Sequence, residues 1–150
     1  MNSTHIEIRY AQRLSERTSR LYRRVQTIAT FLQVALGSAA FIAFTQANQS
    51  AGTYASLALA VISAFMLSVR PGEKAATWDA DYRKYTTLLS VVRDLDDEAS
   101  QKRLDEARRT DAQEVEGLRM VAYNDVIQEI GSTSAPEPLT WTQRTLAVLA

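Results

Sequence analysis

The sequence predicts an all-α membrane protein, in which a two-helix transmembrane hairpin connects a cytosolic N-terminal amphipathic helix to C-terminal helices that form a bundle. Two observations carry this prediction. The 150 residues include only five glycines and three prolines, so the chain contains few turn signals. The chain is also 23% charged, yet no Asp, Glu, Lys or Arg occurs in the 45 residues from Val25 to Val69. An uncharged run of this length is typical of membrane-spanning helices.

The uncharged run divides into two apolar segments and a polar connection. Residues 25–44, with the sequence VQTIATFLQVALGSAAFIAF, form the first predicted span, and residues 53–69, TYASLALAVISAFMLSV, form the second. The polar loop 45–52 lies between them. A helix needs about 20 residues to cross the hydrocarbon core, and about 17 at least, so both segments are long enough. The alternative, a soluble bundle with two fully buried helices, is rare in a chain of this size, because some face of each helix must meet water.

Positive charges flank both spans and predict their orientation. The connecting loop contains no Lys or Arg, whereas the outer flanks of both spans are basic. The predicted membrane-edge anchors are Arg20, Arg23, Arg24, Arg70 and Lys74. Because positively charged flanks stay on the cytoplasmic side, we expect both termini in the cytoplasm and the loop 45–52 outside.

Residues 1–24 are predicted to form an Arg-rich amphipathic helix, which carries six arginines against two glutamates. Five of the arginines repeat at helical spacing and form one stripe: Arg9, Arg13, Arg17, Arg20 and Arg24. A neighbouring apolar stripe contains Tyr10, Leu14, Leu21 and Val25. We expect the apolar stripe to pack on the bundle and the arginines to contact anionic headgroups. Nucleic acid is not expected as a partner, since every arginine of this N-terminal helix lies within about 23 Å of the predicted membrane edge.

Residues 70–131 are predicted to form a cytosolic helical region. Pro71 and Gly72 break the helix after the second span. Beyond them, aromatic and aliphatic residues repeat at spacings of four, three, four and three, which is the a/d pattern of a coiled-coil seam. We expect this seam to join copies of the chain in a homo-oligomer. Its residues are Trp78, Tyr82, Tyr85, Leu89 and Val92.

The C-terminal part of the chain contains three predicted segments. Residues 94–117 are densely charged with mixed signs, which is typical of solvated helix faces or connections. A last helix is predicted from 112 to 130. Residues 132–150 form a linker and an apolar tail, which is too short to span a bilayer.

One face of the first span carries polar and small residues at spacings of four, three and four. These candidate site residues are Gln26, Thr30, Gln33 and Gly37. Two interpretations stay open. In the first, the face packs against another helix, because small residues allow close approach and amides hydrogen-bond across the interface. In the second, the face lines a water-filled pore, which requires several copies, since one hairpin cannot enclose a channel.

Few residues offer catalytic chemistry. The chain has no cysteine and one histidine, His5, near the N-terminus. It also lacks a Gly-rich phosphate loop and a cluster with metal-ligand spacing. The sequence therefore predicts a protein that is not an enzyme and that uses no metal or cofactor.

The order of these parts resembles the SLATT family, two-transmembrane effector domains associated with nucleotide-signalling conflict systems of prokaryotes. The resemblance covers about residues 8–130. It rests on the layout and on two local patterns, ADYRKYTTLLSVVRDL (80–95) and VEGLRMVAYNDVI (115–127), the second of which contains Asn124.

This resemblance implies an oligomeric effector of the bacterial inner membrane, which forms a pore or disrupts the membrane in antiviral defence of the abortive-infection type. No sensor domain accompanies the hairpin, so we expect the trigger to come from a separate nucleotide-sensing or nucleotide-synthesising partner, from a ligand of the cytosolic helices, or from assembly itself. The resemblance implies no catalytic residues.

Two other functions remain as alternatives. A non-conducting membrane scaffold or adaptor would recruit a cytosolic partner through the last helix and the tail. A holin-like phage lysis protein would also use a small hairpin, although a cytosolic region of some 60 residues after the second span is large for that class.

Overall fold

The computed structural model describes residues 3–46, 48–93, 95–111, 115–131 and 136–150, and these residues form helices without any strand. The all-α prediction is thereby confirmed. The predicted beginning of the last helix at 112 and the linker residues 132–135 lie outside the described residues. The helices are α1 (Ser3–Thr45), α2 (Gln49–Val69), α3 (Pro71–Val92), α4 (Asp97–Arg108), α5 (Glu116–Glu129) and α6 (Trp141–Leu149).

The chain divides into two compact units. The helical unit comprises Met1–Leu21 and Ala75–Ala150, and the hairpin unit comprises Tyr22–Lys74. Both α1 and α3 contribute residues to each unit.

In the hairpin unit, the C-terminal part of α1 and the whole of α2 pack antiparallel. Gln33 contacts Ser63 across the pair, and a Cβ atom on Gly52 would lie only 3.0 Å from the ring of Phe44. Glycine at this position therefore lets α2 approach the aromatic ring where the two helices meet. Asn48 caps α2, since its side-chain oxygen accepts a hydrogen bond from the N–H of Ala51 at 3.3 Å.

The helix break after the second apolar segment occurs at Arg70. This residue has a φ of 48° in the left-handed region, and its N–H donates to the carbonyl oxygen of Met66 at 3.0 Å. Pro71 then begins α3, where a missing N–H costs no helical hydrogen bond and a fixed φ suits the first turn. The proline thus starts a new helix immediately after the break.

The core of the helical unit is built by residues from distant parts of the chain. Ile8 of α1, Tyr85 of α3 and Leu104 of α4 are almost completely buried and contact one another in one cluster, which also includes Val92. Helix α5 contributes a second buried group, which consists of Leu118, Val121, Ala122, Val126 and Ile127.

Helices α5 and α6 approach closely at Gly117. A Cβ atom on this glycine would lie 2.6 Å from Cδ1 of Leu146, so a larger residue would require the Leu146 side chain to shift. The beginning of α6 is defined by a capping box, in which the Thr140 hydroxyl accepts from the N–H of Gln143 while the Gln143 side chain accepts from the N–H of Thr140.

Replacing Leu104 with alanine should lower the free energy of unfolding of the helical unit by about 2–5 kcal/mol, because it removes a fully buried side chain and leaves a cavity. The measurement is denaturant unfolding of the detergent-solubilised full chain, followed by tryptophan fluorescence. Lys102→Ala on the exposed face of the same helix is the matched control and should change stability by no more than about 0.5 kcal/mol. Equal stabilities of the two variants would contradict the assigned core.

Candidate functional site

The outer surface of the hairpin unit consists largely of exposed apolar side chains. Within the described residues, Ser3–Thr45 and Gln49–Val92 each contain a window that is long and apolar enough to cross a membrane, and only 11% and 6% of those windows are buried. A core helix of a soluble protein would be mostly buried instead. The largest exposed side chains include Phe31, Val34, Phe41, Tyr54 and Leu67, which are between 66% and 77% exposed. A continuous apolar surface of this kind marks contact with lipid or with protein.

The polar face predicted on the first span lies mainly against its partner helix. Gln33 Nε2 donates to Ser63 Oγ at 3.0 Å. Gly37 faces Leu59, since a Cβ atom there would lie 3.9 Å from Leu59 Cδ2. Gln26 lies beside Gly72, whose Cβ position is 3.4 Å from the Gln26 amide oxygen. In this arrangement three of the four predicted residues serve packing within one hairpin.

Thr30, the fourth residue of that face, is exposed. The face therefore divides into a packed part and an outward part, a distinction that the spacing alone did not show.

The predicted membrane-edge cations have varied surroundings. Arg70 pairs with Glu73 at 3.4 Å, and Lys74 Nζ lies 5.5 Å from the ring centroid of Tyr22, within the range of a cation–π contact. Arg20 belongs to the helical unit and pairs with Glu16. Arg23 and Arg24 are exposed, and each has an interaction partner.

Most residues of the predicted oligomer seam pack against the core of the same chain. Trp78, Tyr85 and Val92 are buried in the helical unit, with at most 6% of each residue exposed. Leu89 packs against the same core, and Tyr82 is half-buried. In this arrangement Trp78, Tyr85 and Val92 stabilise the fold of a single chain, and a seam between copies stays a prediction.

The arginine stripe of α1 is paired with acidic residues of α5. Arg17 forms a two-pronged pair with Asp125, at 2.8 and 3.1 Å, and also donates to the carbonyl oxygen of Ala147 at 3.3 Å. Arg9 and Arg13 both pair with Glu129. The stripe thus connects α1 to α5 and α6, a role that sequence spacing did not indicate because the acids lie more than 100 residues away along the chain.

A polar cluster around Lys84 was also absent from the sequence-based prediction. Lys84 Nζ lies 2.9 Å from Asp81 Oδ1 and 2.6 Å from Asp111 Oδ1, and it donates to the carbonyl oxygen of Ala107 at 2.9 Å. The Tyr85 hydroxyl donates to the other oxygen of Asp111. The i,i+3 spacing of Asp81 and Lys84 is visible in the sequence, but the approach of Asp111 depends on the turn after α4.

This cluster shifts two pKa values in the same direction. Burial raises the pKa of Tyr85, and its hydrogen bond to Asp111 adds to the effect. Burial opposes the charge of Lys84, but hydrogen bonds to Asp111 and Asp81 outweigh it and raise the pKa of the ammonium group. The cluster therefore holds both protons more tightly in the folded chain. Among the described residues, no group of three or more His, Asp or Glu side chains is arranged to hold a metal ion.

The buried amide of Asn124 fixes the segment that leads into α6. Its Nδ2 donates to the carbonyl oxygen of Glu137 at 2.8 Å, and its Oδ1 accepts from the N–H of Glu137 at 2.9 Å. Asn124 is only 8% exposed, so both hydrogen bonds are largely shielded from water.

Comparison with protein-family models, with curated proteins and with solved structures finds no match for this chain.

The stability of the helical unit should fall as the pH rises above about 10, the ordinary value for tyrosine. The unfolded chain releases the protons of Tyr85 and Lys84 at this pH while the folded chain retains them, so folding weakens as pH rises. In Tyr85→Phe the free energy of unfolding should fall less steeply with pH, by up to about 1.4 kcal/mol per pH unit. Denaturant unfolding at pH 8, 9, 10 and 11 measures the slopes.

The control for this series is Tyr54→Phe, which alters an exposed tyrosine of the hairpin unit and should keep the slope of the parent chain. Identical slopes for the parent and Tyr85→Phe would show that the Tyr85 proton does not contribute.

Proposed function

We propose that this chain is an oligomeric effector of the bacterial inner membrane, which permeabilises or disrupts the bilayer in antiviral defence after a separate sensor or a nucleotide signal triggers it. The observation that carries the proposal is the exposed apolar surface of the hairpin unit, since such a surface requires a non-aqueous environment. The layout that resembles the SLATT family supports the defensive role.

The polar groups of the hairpin unit support insertion into lipid. In a membrane every polar group must find a partner within the protein. The hydroxyls of Thr27, Ser38 and Thr53 each donate to the carbonyl oxygen four residues earlier, at 2.8–3.0 Å. Gln33 and Ser63 satisfy each other across the two helices. The hairpin can therefore enter hydrocarbon without leaving these side chains unpaired.

The charge distribution supports an orientation with both termini in the cytoplasm. Arg70 and Lys74 follow the second apolar segment, and Arg23 and Arg24 precede the first, whereas residues 45–52 contain no charge. Translocating the uncharged connection is easier than translocating either basic flank.

Membrane permeation in this proposal requires several copies and a change in the hairpin. Because Gln33 is engaged by Ser63, its side chain is not available to line a channel while the hairpin keeps this packing. We propose that assembly on triggering creates the lesion from the exposed surfaces of neighbouring hairpins, each of which keeps the packing of its two helices.

A second candidate function is a non-conducting membrane adaptor, which recruits a cytosolic partner through the end of the chain. It is favoured by the exposure of Trp141 and Val148, which are 80% and 77% exposed and lie seven residues apart on one side of α6. Membrane localisation without any change in membrane potential would favour this function over the first.

The orientation can be tested with single cysteines, because the natural chain contains none. We expect Ser50→Cys at the beginning of α2 to react with a membrane-impermeant maleimide in intact cells. Glu98→Cys on the exposed face of α4 is the matched control and should react only after lysis. The reverse pattern, or labelling of both sites in intact cells, would exclude the proposed topology.

Effector activity can be tested by inducing the chain together with its genomic neighbours and following membrane potential with a dye. We expect the parent chain to depolarise the cells, and Gln33→Leu and Ser63→Ala both to retain depolarisation. Each of these variants removes one packing bond, worth about 0.6 kcal/mol and at most about 1.7 kcal/mol.

Loss of depolarisation in Gln33→Leu alone would instead assign Gln33 to the wall of a pore. An unchanged potential in the parent chain under every triggering condition, at equal protein levels in the membrane, would refute the effector function.

A further inference from the structure

The helical unit contains a cleft of about 680 Å³ that the proposed function does not use. Residues of α1, of α5, of the segment leading into α6 and of α6 itself line it. The volume lies within the range of about 300–1,000 Å³ that is usual for small-molecule sites.

The walls of the cleft are apolar and aromatic. Ile6 and Tyr10 lie one turn apart on α1, and Met120 and Tyr123 lie three residues apart on α5. Met120 and Tyr123 are 37% and 44% exposed, although apolar neighbours on α5 are fully buried. Tyrosine rings attract cations through their negative faces, and methionine adapts to ligands of varied shape.

The rim of the cleft is acidic. Three glutamates, Glu7, Glu116 and Glu137, line it together with one cation, Arg119. Glu7 pairs with Arg108 at 2.9 Å, and Arg119 has an interaction of its own. In the part of the chain that the structure describes, neither Glu116 nor Glu137 pairs with a cation. The lining therefore carries three carboxylates against one guanidinium, an excess of negative charge beside an aromatic surface.

Part of this rim is held in place before any ligand arrives. The two hydrogen bonds of Asn124 fix the backbone of Glu137, and the Gln143 side chain is held by the N–H of Thr140 at 2.9 Å. A rim that is already ordered loses less conformational entropy on binding.

We infer that this cleft binds a compact organic cation with an aromatic or aliphatic body. The apolar body contacts Tyr10, Met120 and Tyr123, and the ammonium group lies near Glu116 and Glu137. Anionic ligands such as phosphates are disfavoured because the carboxylates repel them. This inference goes beyond the proposed function and does not depend on it, since every lining residue belongs to the helical unit and binding is measurable whether or not the hairpin permeabilises membranes.

The test uses the full chain in a neutral detergent, with tryptamine as the probe and 3-indolepropionate as its anionic counterpart with the same ring. Calorimetric titration and ligand-observed NMR measure binding, and titration into empty micelles corrects for partition. We expect saturable tryptamine binding that is at least about tenfold tighter than that of 3-indolepropionate.

The variants assign the binding to this cleft. Glu116→Gln with Glu137→Gln should weaken tryptamine about tenfold, and Tyr123→Leu about two- to fivefold. Glu98→Gln removes an exposed acid of α4 and should leave the affinity unchanged. Circular dichroism checks that each variant keeps its helix content.

Three results would overturn the inference: equal affinity for the two indoles, an unaltered tryptamine affinity in the double variant, or binding of an arginine-rich peptide without any binding of tryptamine. The comparison of the two indoles on the parent chain tests the preference for a cation even if a variant does not fold.

Discussion

The absence of charge between Val25 and Val69 is the constraint on which the other features of this protein depend. Helices satisfy their own backbone groups, so an uncharged helical pair keeps its fold in hydrocarbon, but its side chains expose a large apolar surface in water. The hairpin unit has this property: its two helices share a small polar contact at Gln33 and Ser63 and present most large side chains outward. In the proposed effector, lipid or further copies of the chain would cover that surface.

The helical unit differs from the hairpin unit, because it has a buried apolar core and ion pairs between its helices. Ile8, Tyr85 and Leu104 bury their side chains together, while Arg17 and Asp125 pair at the surface between α1 and α5. Such partly exposed pairs contribute little free energy individually, so the buried apolar core supplies most of the stabilisation of the unit. A partner or ligand is therefore expected to bind where apolar side chains of this unit stay exposed outside the core.

The chain consists of a hairpin unit with an exposed apolar surface and a helical unit with a buried core, and the proposed function assigns a different role to each. In the proposed effector, the hairpin unit would damage the bilayer and the helical unit would respond to the signal. The acidic aromatic cleft at Tyr123 and Glu137 belongs to the second unit and offers it a ligand-binding surface.

The sequence by itself determined the helical class, the two apolar segments and the helix break near Pro71, because composition, charge and proline act locally along the chain. Only the tertiary structure decided what each helical face contacts. The Trp78–Val92 pattern predicted a seam between copies, yet Trp78, Tyr85 and Val92 are buried within one chain, since periodicity identifies an apolar face but not its partner. For the same reason the sequence did not predict the ion pair of Arg17 with Asp125, because these two residues meet only after the helices have packed.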